Sequence, residues 1–518
     1  MNRRRLAATA IASLSTLVVT APSAGAADGP CYTPPSKPKL IAHVNYSGMK
    51  SLLYCYGPIT IKPGQNNIYF ENTRLHPAES GYITRWDPDL IYADRTKGSK
   101  GVPSVDVLHL HHGVWIMNSN FINPQWAAGE EKTVVQLPRG FGWRNNPDDR
   151  VLVNHMIHNL YPTTEKVYLT WKVDFVPDSS PAAAGIKPAT TLWMDVAGLK
   201  AYPVFNALRG MGSKGRYTFP TQTTDPAEQA KIGSKASYTA SRDMTLLTTF
   251  GHLHPGGLST NLSVERSGVK KSLFTSTAKY WEPAGAVSWD VAMSTTPSNW
   301  RVRIRTGDRL TTSATYDVSK ASWYESMGIM PVAVYFGTDR GGVDPFSKTL
   351  PKTGPVTHGH LPENNNHGGK VATLNDFTKI SSFPSQPVAS GTVIPIQNFF
   401  YTLGDMSVSG AASNPPSVPL GGTLTFRNDD SNGNKATDFM YHTITACKSP
   451  CNKDTGIAYP LADGPVEFDS GQLGFGPDGA TPTEQRKTWT TPSDLAAGTY
   501  TYFCRVHPYM RGAFRVAS

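Results

Sequence analysis

The sequence predicts an all-β protein, and three observations predict it. The 518 residues include 46 Gly and 41 Pro, a supply of turn-formers suited to many short strands. Runs such as Val105 to Ile116, Val151 to Asn159 and Val167 to Val173 alternate with period two or are continuously β-prone. Stretches with helical periodicity are few. A chain of this length is expected to hold about three domains of roughly 100 to 200 residues.

In chain order, Arg3, Arg4 and Arg5, an apolar run from Leu6 to Val19 and Ala24-Gly25-Ala26 read as a signal peptide over residues 1–26. The mature chain is expected to begin at Ala27, outside the cell or in a periplasm, by the Sec route or the Tat route. No cysteine stands at the cleavage point, so no lipid anchor is expected. No later run approaches the roughly 20 apolar residues of a membrane span. Residues 27–200 and 201–350 form two strand-rich blocks, the second with strands near Met244 to Phe250, Trp300 to Arg305 and Leu310 to Tyr316. A Pro/Gly/Asn-rich connector covers 351–390, and a last domain covers 391–518.

The five cysteines suit an oxidising compartment. From position alone, Cys31 pairs with Cys55 and Cys447 with Cys451, which leaves Cys504 free. The net charge of +10 includes the three signal arginines, and the rest is dispersed without a Lys/Arg block. Nucleic acid is therefore not an expected partner.

Chemistry concentrates first in Tyr500-Thr501-Tyr502-Phe503-Cys504-Arg505-Val506-His507-Pro508-Tyr509-Met510. A thiolate followed at +3 by an imidazole and at +6 by a thioether is the loop of a type 1 copper site, which needs a second histidine from an earlier strand. His442 supplies it. His442, Cys504, His507 and Met510 resemble, in order, the ligands of a plastocyanin-like cupredoxin. His does not flank Cys504, as it does in multicopper oxidases and copper nitrite reductases; Phe503 and Arg505 do.

The first block holds His109, His111, His112, His155 and His158. Neutral imidazole is a good copper ligand, and a His-x-His-His cluster with a second pair favours metal over a solvated sheet face. Adjacent His111 and His112 face opposite ways in a regular strand, so both reach one metal only where the strand bends or ends. His158 is the third ligand, with His155 second choice because it faces away. In the second block His252 and His254 are expected on one strand face, with Met293, Met327 or Met330 as a thioether. The connector adds His358, His360 and His367, which form a further copper site, complete one of the others or make a hydrated loop.

The order His111-His112, His158, His252-Leu253-His254 and then Met resembles the two-domain copper monooxygenases, the group of peptidylglycine alpha-hydroxylating monooxygenase and dopamine beta-monooxygenase. Arg305-Thr306-Gly307-Asp308 and the strand to Asp317 are similar to that family's Pro-Gly-Asp and Thr-Tyr-Asn-like strand. Glu325-Ser326-Met327 stands where the family has Glu-x-Met. The resemblance covers residues from about 40 to 340. It implies two jelly-roll β-sandwich domains ahead of a Greek-key cupredoxin barrel. It also implies an electron-transfer copper at His111, His112 and His158, and an oxygen-binding copper at His252, His254 and Met327 across a solvent-filled cleft. Phe250 stands where peptide-amidating members carry a substrate-binding arginine, which points to an apolar or aromatic substrate.

The expectation is an exported three-copper monooxygenase. It would use dioxygen to hydroxylate a small organic substrate, with electrons from a small reductant or redox protein relayed by the cupredoxin. The alternative is a non-catalytic exported copper-binding or electron-transfer protein.

Overall fold

The computed structural model describes residues 31–34, 42–98, 100–105, 107–117, 124–198, 203–280, 289, 291–357, 383–406, 413–434, 438, 440–447, 466–475, 485–507 and 509–518. The expected signal peptide, His358, His360, His367 and Cys451 lie outside these residues. The protein is all-β: the described helical segments are only Pro181–Gly185, Pro226–Gln229 and Ser234–Ala236. Among the described residues no helix is long and apolar enough to cross a membrane. The Cys31–Cys55 disulfide is formed and fits an oxidising, extracellular or periplasmic setting.

The first sandwich packs two sheets over one core. Lys50–Ile61, Glu165–Pro177, Gly81–Tyr92 and Phe141–Asn145 make one layer; Ile68–Thr73, Val151–Asn159, Leu108–Met117 and Trp126–Gly129 make the other. Alternate residues Val167, Leu169, Trp171, Val173 and Phe175 point into the core, as the period of a strand requires. Trp86 lies parallel to Trp126 at 6.2 Å and edge-on to Trp115 at 4.8 Å, filling the space between layers.

The first layer does not stop at the edge of this sandwich. Phe141–Asn145 pairs in parallel with Lys187–Asp195, which pairs antiparallel with Ile329–Tyr335, so one hydrogen-bonded sheet runs on into the second sandwich. There it faces a sheet built on Gly257–Arg266, Val269–Tyr280 and Arg309–Asp317. Arg309–Asp317 alternates exposed or half-buried with buried residues, and Leu310, Ala314 and Tyr316 are inward. A shared sheet makes the two sandwiches one mechanical unit.

The last domain has a six-stranded and a four-stranded sheet over a core that includes Ile394, Phe426, Ile444, Tyr502 and Phe514. Gly498–Phe503 and Arg511–Ala517 pair antiparallel, and the Cys504 loop is the turn between them. This domain docks against the sandwiches. Tyr509 stacks on Tyr161 at 5.3 Å, the Arg505 guanidinium lies 4.7 Å over the Trp323 ring, and Gln472 donates to Glu325 at 2.8 Å.

Candidate metal centres

The Cys504 loop closes through hydrogen bonds of its own. Met510 N–H donates to the His507 carbonyl at 2.9 Å, and Cys504 N–H donates to the Met510 carbonyl at 3.0 Å. Ligand atoms of His442, Cys504 and His507 lie within 4.8 Å of one another, all buried. His442 Nδ1 stands 3.3 Å from His507 Nδ1 and 3.9 Å from Cys504 Sγ. The backbone N–H groups of Thr443 and His507 point at the sulfur, at 3.4 and 3.3 Å. Met510 is fully buried on the same loop. Two imidazoles, a free cysteine and a neighbouring methionine fit copper.

His442 is oriented from behind. Its Nε2 meets Asp430 Oδ2 at 2.9 Å, and Asp430 also accepts from the N–H groups of Asn398 and Phe399. Burial opposes charge on His442, but Asp430 and Cys504 outweigh it and push the metal-free imidazole up to about 9. Nε2 keeps its proton for Asp430, which leaves Nδ1 for the metal.

In the first sandwich, His109, His111 and His158 bring ligand atoms within 4.8 Å of one another. A β-bulge makes this possible. The register of Leu108–Met117 against Val151–Asn159 slips between Leu110 and His112. Consequently Leu110 and Trp115, five residues apart, reach the same core, and His111 and His112 both turn away from it. The strand thus bends where the sequence required it to, but the grouping differs from the expected His111, His112 and His158. His109 takes the third place, while His112 turns its Nε2 to Asn154 Oδ1 at 3.3 Å. His155 faces inward, between Tyr56 at 5.9 Å and Tyr69 at 5.6 Å.

The second block adds to this same cluster. His111 Nε2 and His254 Nε2 are 3.0 Å apart. His254 Nδ1 donates to the Glu325 carbonyl and His109 Nδ1 to the Val105 carbonyl. Because a carbonyl only accepts, each neutral ring carries its lone pair on Nε2, the tautomer a metal needs. His111 Nδ1 meets Asn66 Oδ1 at 2.9 Å. Burial holds these imidazoles far below their ordinary value, His109 at about 3, so they stand neutral. Trp289 covers the group, 4.6 Å from His109 and 4.9 Å from His111 between ring centres.

His252 and His254 do not lie on a regular strand, and their ring centres are 5.2 Å apart. His252 forms an isolated bridge to Ile329, and the chain then turns at Pro255-Gly256 instead of continuing as a strand. Their rings stand at 88°, and His252 Nδ1 meets Glu131 Oε2 at 3.0 Å. Met327 is buried in an apolar cluster with Ala127, Met156, Trp193 and Tyr441, its backbone tied to the Tyr316 hydroxyl. Met293 and Met330 belong to two other cores. Phe250 packs in the first sandwich core. The solvent-filled cleft implied by the resemblance is closed where His111 meets His254.

The two centres touch. The rings of His158 and His507 are 5.8 Å apart at 75°. Beside them a cavity of about 60 Å³ is walled by His111, His158, His254, Trp289, Trp323 and Glu325, with Arg505 and Val506 of the copper loop at its edge. Sequence reasoning noted His109 without assigning it and passed over Asn66, Trp289 and Asp430. His109 carried a usable signal, since His109-x-His111 has the alternation applied to His252 and His254.

A scan against protein-family models gives no match, and a search of curated proteins gives none either. Among solved structures, a reduced Cu(I) form of an amicyanin mutant is 20% identical, covering 24% of this chain and 81% of that one at TM-score 0.15. A copper-containing nitrite reductase from Thermus scotoductus SA-01 is 12% identical, covering 54% of this chain and 59% of that one at TM-score 0.16. An infectious bursal disease virus structure is 10% identical, covering 61% and 78% at TM-score 0.15. Scores this low assign the chain to no family.

Proposed function

We propose that the protein is an exported copper oxidoreductase that draws electrons through its own Cys504 site to a histidine centre where dioxygen is reduced, and that it acts as a monooxygenase on an apolar organic substrate. The observation that carries this reading is the buried contact of His158 with His507, 5.8 Å between rings. When bound, copper would supply a one-electron couple at His442, Cys504, His507 and Met510, and an oxygen-reducing centre at His109, His111 and His158 with His254 at its edge.

The chain's own residues account for the rest. His507 offers Nδ1 to the Cys504 site and sets its ring against His158, so two imidazoles span the gap between domains. His507 is 1% exposed, which favours transfer within the chain over a freely docking carrier. The Val105 and Glu325 carbonyls keep His109 and His254 as neutral ligands. Trp289, Trp323 and Tyr324 give the cavity an aromatic wall suited to an apolar group. Its volume of about 60 Å³ corresponds to roughly two waters at the liquid share of about 30 Å³ each. That space suits dioxygen or the reacting end of a substrate. Glu325 provides a proton-exchanging carboxyl on the wall, held by Gln472 at 2.8 Å. With His111 and His254 in one cluster, two coppers per chain are expected, not the three implied by the resemblance.

The test is reoxidation of the dithionite-reduced, copper-loaded protein by oxygenated buffer, followed at the visible thiolate band. The wild type should recover its band rapidly, and His158→Ala should recover it at least about 100-fold more slowly with an unchanged spectrum. Equal rates would remove the proposed route. Oxygen uptake without oxygen incorporation into any added organic substrate would leave an oxidase and discard the monooxygenase.

A further inference from the structure

A second set of ligand-type atoms lies outside the histidine cluster. Oxygens of Glu130 and Glu131 and a nitrogen of His252 are within 4.8 Å of one another, and all three residues are buried. Both glutamates are 0% exposed. Glu131 is partly satisfied, taking the Gly129 N–H at 2.9 Å on Oε1 and His252 Nδ1 at 3.0 Å on Oε2. By contrast, among the described residues neither carboxylate oxygen of Glu130 has a hydrogen-bond partner, and nor does His252 Nε2.

The backbone leaves room for this arrangement. A Cβ on Gly129 would sit 2.4 Å from His252 Cε1 and 2.7 Å from Glu131 Oε2, so only glycine lets the imidazole lie against the end of Trp126–Gly129. Two adjacent buried carboxylates repel each other, and a bound cation would offset that repulsion. The Lys132 ammonium is engaged elsewhere, with Asp89 at 2.6 Å.

We propose that Glu130, Glu131 and His252 hold one divalent first-row cation, separate from both copper centres. Two carboxylates and one imidazole form a harder donor set than histidine, cysteine and methionine, matched to Mn²⁺, Fe²⁺ or Zn²⁺ over Cu(I). The glutamates follow a strand of the first sandwich and His252 belongs to the second, 121 residues later. The cation therefore staples the sandwiches together beside the His111–His254 contact.

The experiment uses the full chain loaded anaerobically with Cu(I), so that the softer sites are filled, then dialysed against Mn²⁺ or Zn²⁺ and analysed for metal. One equivalent of dication should be retained, with a rise in thermal midpoint as binding to the folded state requires. Glu130→Gln should weaken dication binding at least about tenfold and abolish the rise, with Cu(I) content unchanged. Gly129→Ala, which keeps both carboxylates but crowds His252, should do the same and serves if Glu130→Gln does not fold. No retained dication in the wild type overturns the proposal. So does an equivalent that survives both variants but is lost with His111→Ala.

Discussion

Around Cys504, three of the four expected copper ligands come from one short stretch between two paired strands, Cys504 to Met510. The histidine cluster is assembled differently, with His109 and His111 on one strand, His158 on its neighbour and His254 from the other sandwich. The first site is held by its own turn, so it depends on little beyond its domain. The second exists only when two sandwiches and a bulged strand are in place. Replacing one ligand should therefore have separable consequences. Cys504→Ser is expected to abolish the intense visible band completely while the histidine cluster keeps its copper, as metal analysis and a colourless Cu(II) signal would show. Loss of all copper on that substitution would mean that the two sites are not independently built.

The two sites also differ in what stands behind the ligands. His109 and His254 lean on neutral carbonyls, whereas His442 leans on the carboxylate of Asp430. An anion behind an imidazole makes it a stronger base and stabilises the oxidised, more positive metal. Asp430 itself is held below the usual carboxylate range: burial opposes its ionisation, but His442 and two backbone N–H groups prevail. Asp430→Asn should weaken Cu(II) binding at the Cys504 site by roughly 10–100-fold and raise its reduction potential. Chelator competition and redox titration read both, and an unchanged affinity would reduce Asp430 to an anchor of the Asn398-Phe399 turn.

The same contrast explains how much could be read from sequence. All-β architecture follows from strand periodicity and turn residues, which are local, and the Cys504 ligands follow from spacing, which is local too. His111 and His112 exposed the limit of that reasoning: the need for a bend was visible, but whether it would gather His109 or His112 depends on a one-residue slip against Val151–Asn159. His254 meeting His111 depends on a sheet that continues from Lys187–Asp195 into Ile329–Tyr335, a pairing that no local pattern encodes. Glu130 and Glu131 look like ordinary surface charges in a loop, and only their complete burial marks them.

Within a single strand the comparison can be sharpened further, since His155 and His158 are both buried yet only His158 joins the cluster. His155 lies between two tyrosines, and burial alone lowers its imidazole from 6.5 to about 4. The unfolded chain therefore takes up this proton first as pH falls. Stability from a neutral His155 is present above about 6.5 and is lost as pH drops from 6.5 towards 4. Between pH 7 and pH 5 that loss is about 2 kcal/mol for this one residue. In copper-loaded protein, where metal keeps the cluster histidines from titrating, His155→Phe should keep an aromatic ring between Tyr56 and Tyr69 while removing the proton. Urea unfolding at the two pH values should then show the variant losing about 2 kcal/mol less than the wild type. Equal losses would mean that the burial of His155 contributes nothing to the acid sensitivity.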